Sequence, residues 1–145
     1  MSLLAVVAAF SAPSLARSLR QRNLDGEAAR LLALTEYGRD EAQSQGVPMT
    51  VWIDPKNQRM GVEPKTGYDG DDARAREFEL DPDIHFELDR APTQGGLVEV
   101  MEFAPDGSPS AASIDVVKLV DRFQALVTVA RTSDGWGYEI VKEQR

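Results

Sequence analysis

The sequence predicts an α+β fold: a long N-terminal helix packed on an antiparallel β-domain of about eight short strands. Three observations carry this. Residues 14–44 contain no proline and are mostly good helix formers such as Ala, Leu, Arg, Glu and Gln. After Pro48 the apolar spacing changes from three-and-four to strict alternation. Turn signals built from Gly, Pro, Asp and Asn then recur between the alternating segments. The expected organisation is a helical stalk over residues 1–46 and a β-domain over 47–145.

The chain begins with an uncharged apolar run at 3–10, which includes Leu3, Leu4, Val6, Val7 and Phe10. Spanning a bilayer takes roughly twenty residues. A signal peptide places basic residues ahead of its apolar segment, and here only Met1 and Ser2 precede it. The run therefore reads in three ways: a buried helix start, a degraded signal peptide, or the end of a longer membrane helix. Pro13 follows, and a proline there kinks a helix or starts a new one. A helix is expected from about Ser14 to Ser44. Leu24, Ala28, Leu31, Thr35, Gly38 and Ala42 recur at three- and four-residue steps and form one apolar, small-residue stripe suited to helix–sheet packing. Leu15 and Leu19 fall on another face. Such a helix packs one end on its own domain and the other on something else. Gly46 and Pro48 give the stop signal.

Met49, Val51 and Ile53 alternate in a first strand, the 54–57 turn follows, and residues 59–63 return as a hairpin. A Gly- and Asp-rich loop covers 64–76. Phe78 and Leu80 alternate with acidic residues, and Ile84, Phe86 and Leu88 form the cleanest half-buried strand. Further strands are expected at 97–103, 113–119, 124–130 and 138–142, separated by turns at 93–96, 105–108 and 133–135. These strands make one antiparallel sheet or a pair of sheets.

The formal charge of −8 excludes nucleic acid as a partner, because such binding draws on Lys and Arg displacing phosphate counterions. The absence of cysteine removes disulfides, thiol catalysis and Cys-ligated zinc. The single His85 shares its strand's charged face with Glu87 and Asp89, and no nucleophile motif accompanies it. It reads as an exposed structural residue, and the chain reads as a non-enzyme. The acidic loop of Asp69, Asp71 and Asp72 lacks the spacing of a calcium-binding hand and reads as solvated. No cofactor or metal is expected. Arg17, Arg20 and Arg22 read as a solvated helix face; contact with lipid headgroups or an acidic neighbouring subunit is the alternative. Trp52, Trp136 and Tyr138 read as core aromatics rather than a sugar-stacking surface.

The order of parts resembles the pilin and pseudopilin architecture. Pro13-Ser14-Leu15 ahead of an Arg-containing helix is similar to the point where pilin helices leave the membrane. The stretch from Leu24-Asp25-Gly26-Glu27-Ala28 through Gly46-Val47-Pro48-Met49 resembles the helix and first strand of the H-type minor pseudopilins. The T-type pilus-assembly proteins share that pattern. Phe103-Ala104-Pro105-Asp106-Gly107-Ser108-Pro109-Ser110 is similar to the family's Phe-x-Pro-x-Gly-x-x-Ser turn. The family's prepilin-peptidase motif, Gly-Phe-Thr-Leu-x-Glu, does not occur, so the leader and first helical turns are expected upstream of Met1.

The resemblance implies a minor pseudopilin of type II secretion, acting in protein export across the outer membrane. Its partners would be other pseudopilins of the filament and the inner membrane, crossed once by the completed helix, with the β-domain in the periplasm. Helix–helix assembly would fall to Leu3, Leu4, Val6, Val7, Phe10, Pro13, Leu15 and Leu19. Two other readings stay open: a type IV pilus minor pilin or assembly protein, and a membrane-tethered periplasmic ligand-binding module.

Overall fold

The computed structural model describes residues 2–65, 74–88, 96–110 and 113–141; within the helix, side chains are described at position 19 and from 21 onward. Helix α1 runs Ser2–Gln45. It therefore begins well before the Ser14 start expected from the sequence, and it passes through Pro13. A proline removes one i→i−4 hydrogen bond at a cost of about 3 kcal/mol, and the Ala- and Leu-rich turns on either side retain theirs. At the other end Gly46 adopts φ 67° and its N–H donates to Ala42 O at 3.0 Å. This is a left-handed C-terminal cap, open to glycine because it has no Cβ.

Eight strands follow: β1 (Met49–Asp54), β2 (Arg59–Pro64), β3 (Arg76–Glu79), β4 (Ile84–Glu87), β5 (Val98–Phe103), β6 (Val116–Asp121), β7 (Leu126–Arg131) and β8 (Tyr138–Val141). They form two four-stranded sheets, ordered β3-β2-β1-β5 and β4-β6-β7-β8. Every paired neighbour is antiparallel. The chain thus crosses to the second sheet for β4, returns for β5 beside β1, and finishes in the second sheet. Helix α1 packs on β1, β2 and β5 of one sheet and on β6, β7 and β8 of the other.

A single core joins the three layers. Leu24, Leu31, Met49, Ile53, Met60, Val98, Phe103, Leu119 and Val129 are all shut off from solvent within it. In β5 the alternation breaks, because Val100 and Met101 are consecutive and both buried. The β1–β5 register shifts between Val51 and Trp52, which pair with Met101 and Glu99. The bulged residue lets both side chains point inward. In β1 every residue is buried. Trp52 lies opposite Gly61, and a Cβ built there would come 2.5 Å from its ring. Glycine is what lets the indole lie on the strand.

Two expectations shift. Phe78 does not turn into the core; β3 is an exposed edge strand, and the Arg30 guanidinium lies 5.3 Å from the Phe78 ring centre. The strand expected at 113–119 is observed as β6, Val116–Asp121. Residues 113 and 114 instead extend the edge of β5: Ile114 N donates to Val100 O at 2.8 Å, and Glu102 N donates to Ser113 Oγ at 3.1 Å.

Candidate assembly surface

The turns show where much of the acidic excess goes. Asp54 accepts from Asn57 N at 3.2 Å and from Asn57 Nδ2 at 2.8 Å. Asp81, Asp106, Asp121 and Asp134 each accept from a backbone N–H two residues on, at 2.8–3.0 Å. A carboxylate reaching ahead to the backbone is the usual Asx-turn device. Hydrogen bonds from the Asn57 side chain hold Asp54 below the ordinary carboxylate range. Ser108 does the same for Asp106, and Thr132 for Asp134. These carboxylates are therefore structural.

The turn at 105–108 clamps the end of α1. Gly107 sits at φ 86°, and its N–H donates to Ala104 O at 2.7 Å. Gln43 Nε2 donates to Asp106 O at 3.0 Å, with the Gln43 side chain lying against Gly107 where a Cβ would stand.

Along α1, Leu24, Ala28, Leu31, Thr35, Gly38 and Ala42 are all buried. Gly38 marks a close approach, since a Cβ there would sit 3.1 Å from Val62 Cγ2 and 3.4 Å from Phe103 Cδ2. Leu34 and Glu27 are buried beside this row, although the sequence stripe omits them. Glu27 had no apolar signature to reveal it. Its Oε1 faces Arg30 Nη1 at 3.5 Å, while Oε2 is buried with no hydrogen-bond partner. Burial pushes its carboxyl above the ordinary range; Arg30 opposes the shift and Asp81 adds to it.

Of the residues expected to mediate assembly, the side chains of Leu3, Leu4, Val6, Val7, Phe10, Pro13 and Leu15 lie outside the described residues. Leu19 is described, and is 58% exposed. It does not stand alone. With Asn23 it forms one wall of a cleft of about 260 Å³ whose other wall is Asp81, Asp83, Ile84, Asp121, Arg122 and Phe123. Phe123, at the β6–β7 turn, is 53% exposed. Sequence reading missed it because an aromatic residue beside a strand reads as core.

A second cleft, of about 210 Å³, lies between α1 and the β7–β8 turn, with Glu36, Arg39, Asp134, Trp136 and Tyr138 among its walls. Trp136 is 53% exposed, whereas Trp52 and Tyr138 are buried. Trp52 takes no part in this cleft, so the three aromatics form no common stacking surface. The Tyr138 hydroxyl donates to Ile114 O at 3.2 Å. His85 is exposed on its strand, with Nε2 3.8 Å from Glu87 Oε1. Among the described residues no group of acidic, His or Cys side chains could hold a metal ion. The acidic loop at 69–72 lies outside the described residues. Among the described residues no helix is long and apolar enough to cross a membrane.

No family model matches the chain, and no curated protein matches it. Solved structures do. The minor pseudopilin EpsH of the type 2 secretion system of Vibrio cholerae aligns with a TM-score of 0.52 at 17% identity, covering 84% of this chain and 95% of that one. Another structure of EpsH, a crystal structure, aligns with the same score and identity. The type IV minor pilin FimU of Pseudomonas aeruginosa aligns with a TM-score of 0.59 at 14% identity, covering 86% of this chain and 91% of that one. With one long helix laid on two antiparallel sheets across nearly the whole length of each neighbour, this chain has the pilin-like fold of minor pseudopilins and minor pilins.

Proposed function

We propose that this chain is a minor pseudopilin, a structural subunit of the type II secretion pseudopilus that acts in protein export across the outer membrane. The observation that carries the reading is the division of α1. Its core-facing row spans Leu24 to Ala42, about 27 Å at 1.5 Å per residue. The helix extends over 22 further positions ahead of Leu24, about 33 Å. The sequence of that extension is apolar at 3–10 and presents Leu19 to solvent at its end. In this reading the extension packs against other pseudopilin helices in the filament, and the protein is held at the inner membrane. The β-domain then stands in the periplasm. The role is one of binding and geometry, not catalysis.

A type IV pilus minor pilin is the second reading. It is favoured by the somewhat higher structural likeness to FimU. Deleting the gene in its own organism separates the two. Loss of exoprotein secretion with pili intact supports the pseudopilin reading. Loss of pili with secretion intact supports the pilin reading. A strain normal in both overturns the assembly reading as a whole.

A further inference from the structure

The cleft beside Leu19 holds a feature that the turn chemistry does not use. Asp121 is 4% exposed. Its Oδ1 accepts from Phe123 N at 2.8 Å and from Ala125 N at 2.9 Å, which fixes the β6–β7 turn. Its Oδ2 is buried with no hydrogen-bond partner, and Asp121 forms part of the cleft wall. A buried, unpaired carboxylate oxygen is destabilising unless a donor reaches it. The other charges in the cleft do not supply one. Arg122 faces Asp83, at 3.7 Å, and covers the Phe123 ring at 4.9 Å. Asp81 adds a further carboxylate. Among the described residues, three carboxylates face one arginine across the cleft, while Leu19, Ile84 and Phe123 give it apolar walls. A long apolar stem ending in a cation has the matching chemistry.

We propose that this cleft is a socket for an arginine side chain on the helix of a neighbouring pilin-like subunit, with the guanidinium seated on the acidic wall at Asp121 and the stem lying between Leu19 and Phe123. The sequence supplies an example of such a helix, since Arg17, Arg20 and Arg22 fall within six residues of α1 beside Leu15 and Leu19. The inference deepens the assembly reading and rests on it. It names the contact that would set one subunit's register on the next.

The full chain and a synthetic peptide of residues 12–24 provide the test, read by amide chemical shifts. The expected result is saturable shifts at Leu19, Ile84 and Phe123. Replacing the three peptide arginines by glutamine, or Asp121→Asn in the chain, should weaken binding at least about tenfold. Phe123→Ala, at a half-exposed position, should weaken it as well. Absence of shifts at millimolar peptide, or equal binding of the glutamine peptide, overturns the socket. Failure of the socket and failure of the assembly reading are then told apart in cells. The chain has no cysteine, so single cysteines introduced at position 123 and along α1 report neighbours by disulfide trapping. Cross-links along α1 but none at 123 overturn the socket and leave assembly standing. Cross-links at neither overturn both.

Discussion

At the residue scale, Leu31 and Glu27 show opposite ways of being buried in the same helix. Leu31 is fully buried in the core shared by both sheets. Leu31→Ala should cost about 2–5 kcal/mol, from lost transfer energy and an unfilled cavity, measured as a fall in urea midpoint at constant slope. Glu27 places a carboxylate where its Oε2 finds no partner. Because burial raises its pKa in the folded protein above the ordinary 4.5, the native state takes up this proton before the unfolded chain does. Ionisation of Glu27 therefore costs stability above its folded pKa, and that cost disappears as pH falls towards 4.5. Glu27→Gln should gain on the parent at pH 7 and lose that advantage near pH 4.5, in paired denaturant melts. Asp54 runs the other way. Its carboxyl is held below 3.8 by Asn57, so its stabilisation is full above that value and is lost as pH falls through the lower folded value.

At the element scale, α1 carries two kinds of leucine. Leu24 and Leu31 face the sheets, and Leu19 is exposed near the β6–β7 turn. Leu19→Ala should change the stability of the isolated protein by less than about 1 kcal/mol, as exposed positions generally do. In cells, the same change should impair assembly, read as reduced secretion or piliation. Equal destabilisation by Leu19→Ala and Leu31→Ala would mean that the whole helix is intramolecular core, and the two-part helix would lose its physical basis. The contrast rests on geometry: at 100° per residue, position 19 lies well round the helix from the row at 24, 28 and 31.

At the scale of the whole molecule, both sheets and the helix share one core. Among the described residues the large exposed apolar side chains are Leu19 on α1, Phe78 on edge strand β3, Phe123 and Trp136 in turns, and Val141 on β8, of which Leu19 and Phe123 line one cleft. A stable interface needs about 1,200 Å², and the Leu19–Phe123 cleft falls short of that by itself. The 145-residue chain should sediment as a monomer at micromolar concentration, with a tight dimer independent of concentration as the contrary result. A weak, salt-sensitive contact through the acidic cleft is compatible with this, because one seated side chain buries far less area than a stable dimer needs.

What the sequence determined by itself was local. The stripe from Leu24 to Ala42, the stop at Gly46 and Pro48, and the eight alternating segments all repeat within two to four residues, so neighbours in the chain record them. The Asp-led turns at 54 and 106 were legible for the same reason, since each carboxylate bonds to backbone only a few residues on. Tertiary structure decided what depends on residues far apart. It sent β4 to the second sheet between β3 and β5. It placed the bulge that buries Val100 and Met101 together. It left Phe78 outside under Arg30, and buried Glu27 on a flank that reads as polar. Above all, it brought Leu19 and Asp121, far apart in the chain, into one cleft. Periodicity tells a side chain which face of its own element it occupies. Only the packing of elements determines what that face meets, because the free energy of burial is settled by the partner surface.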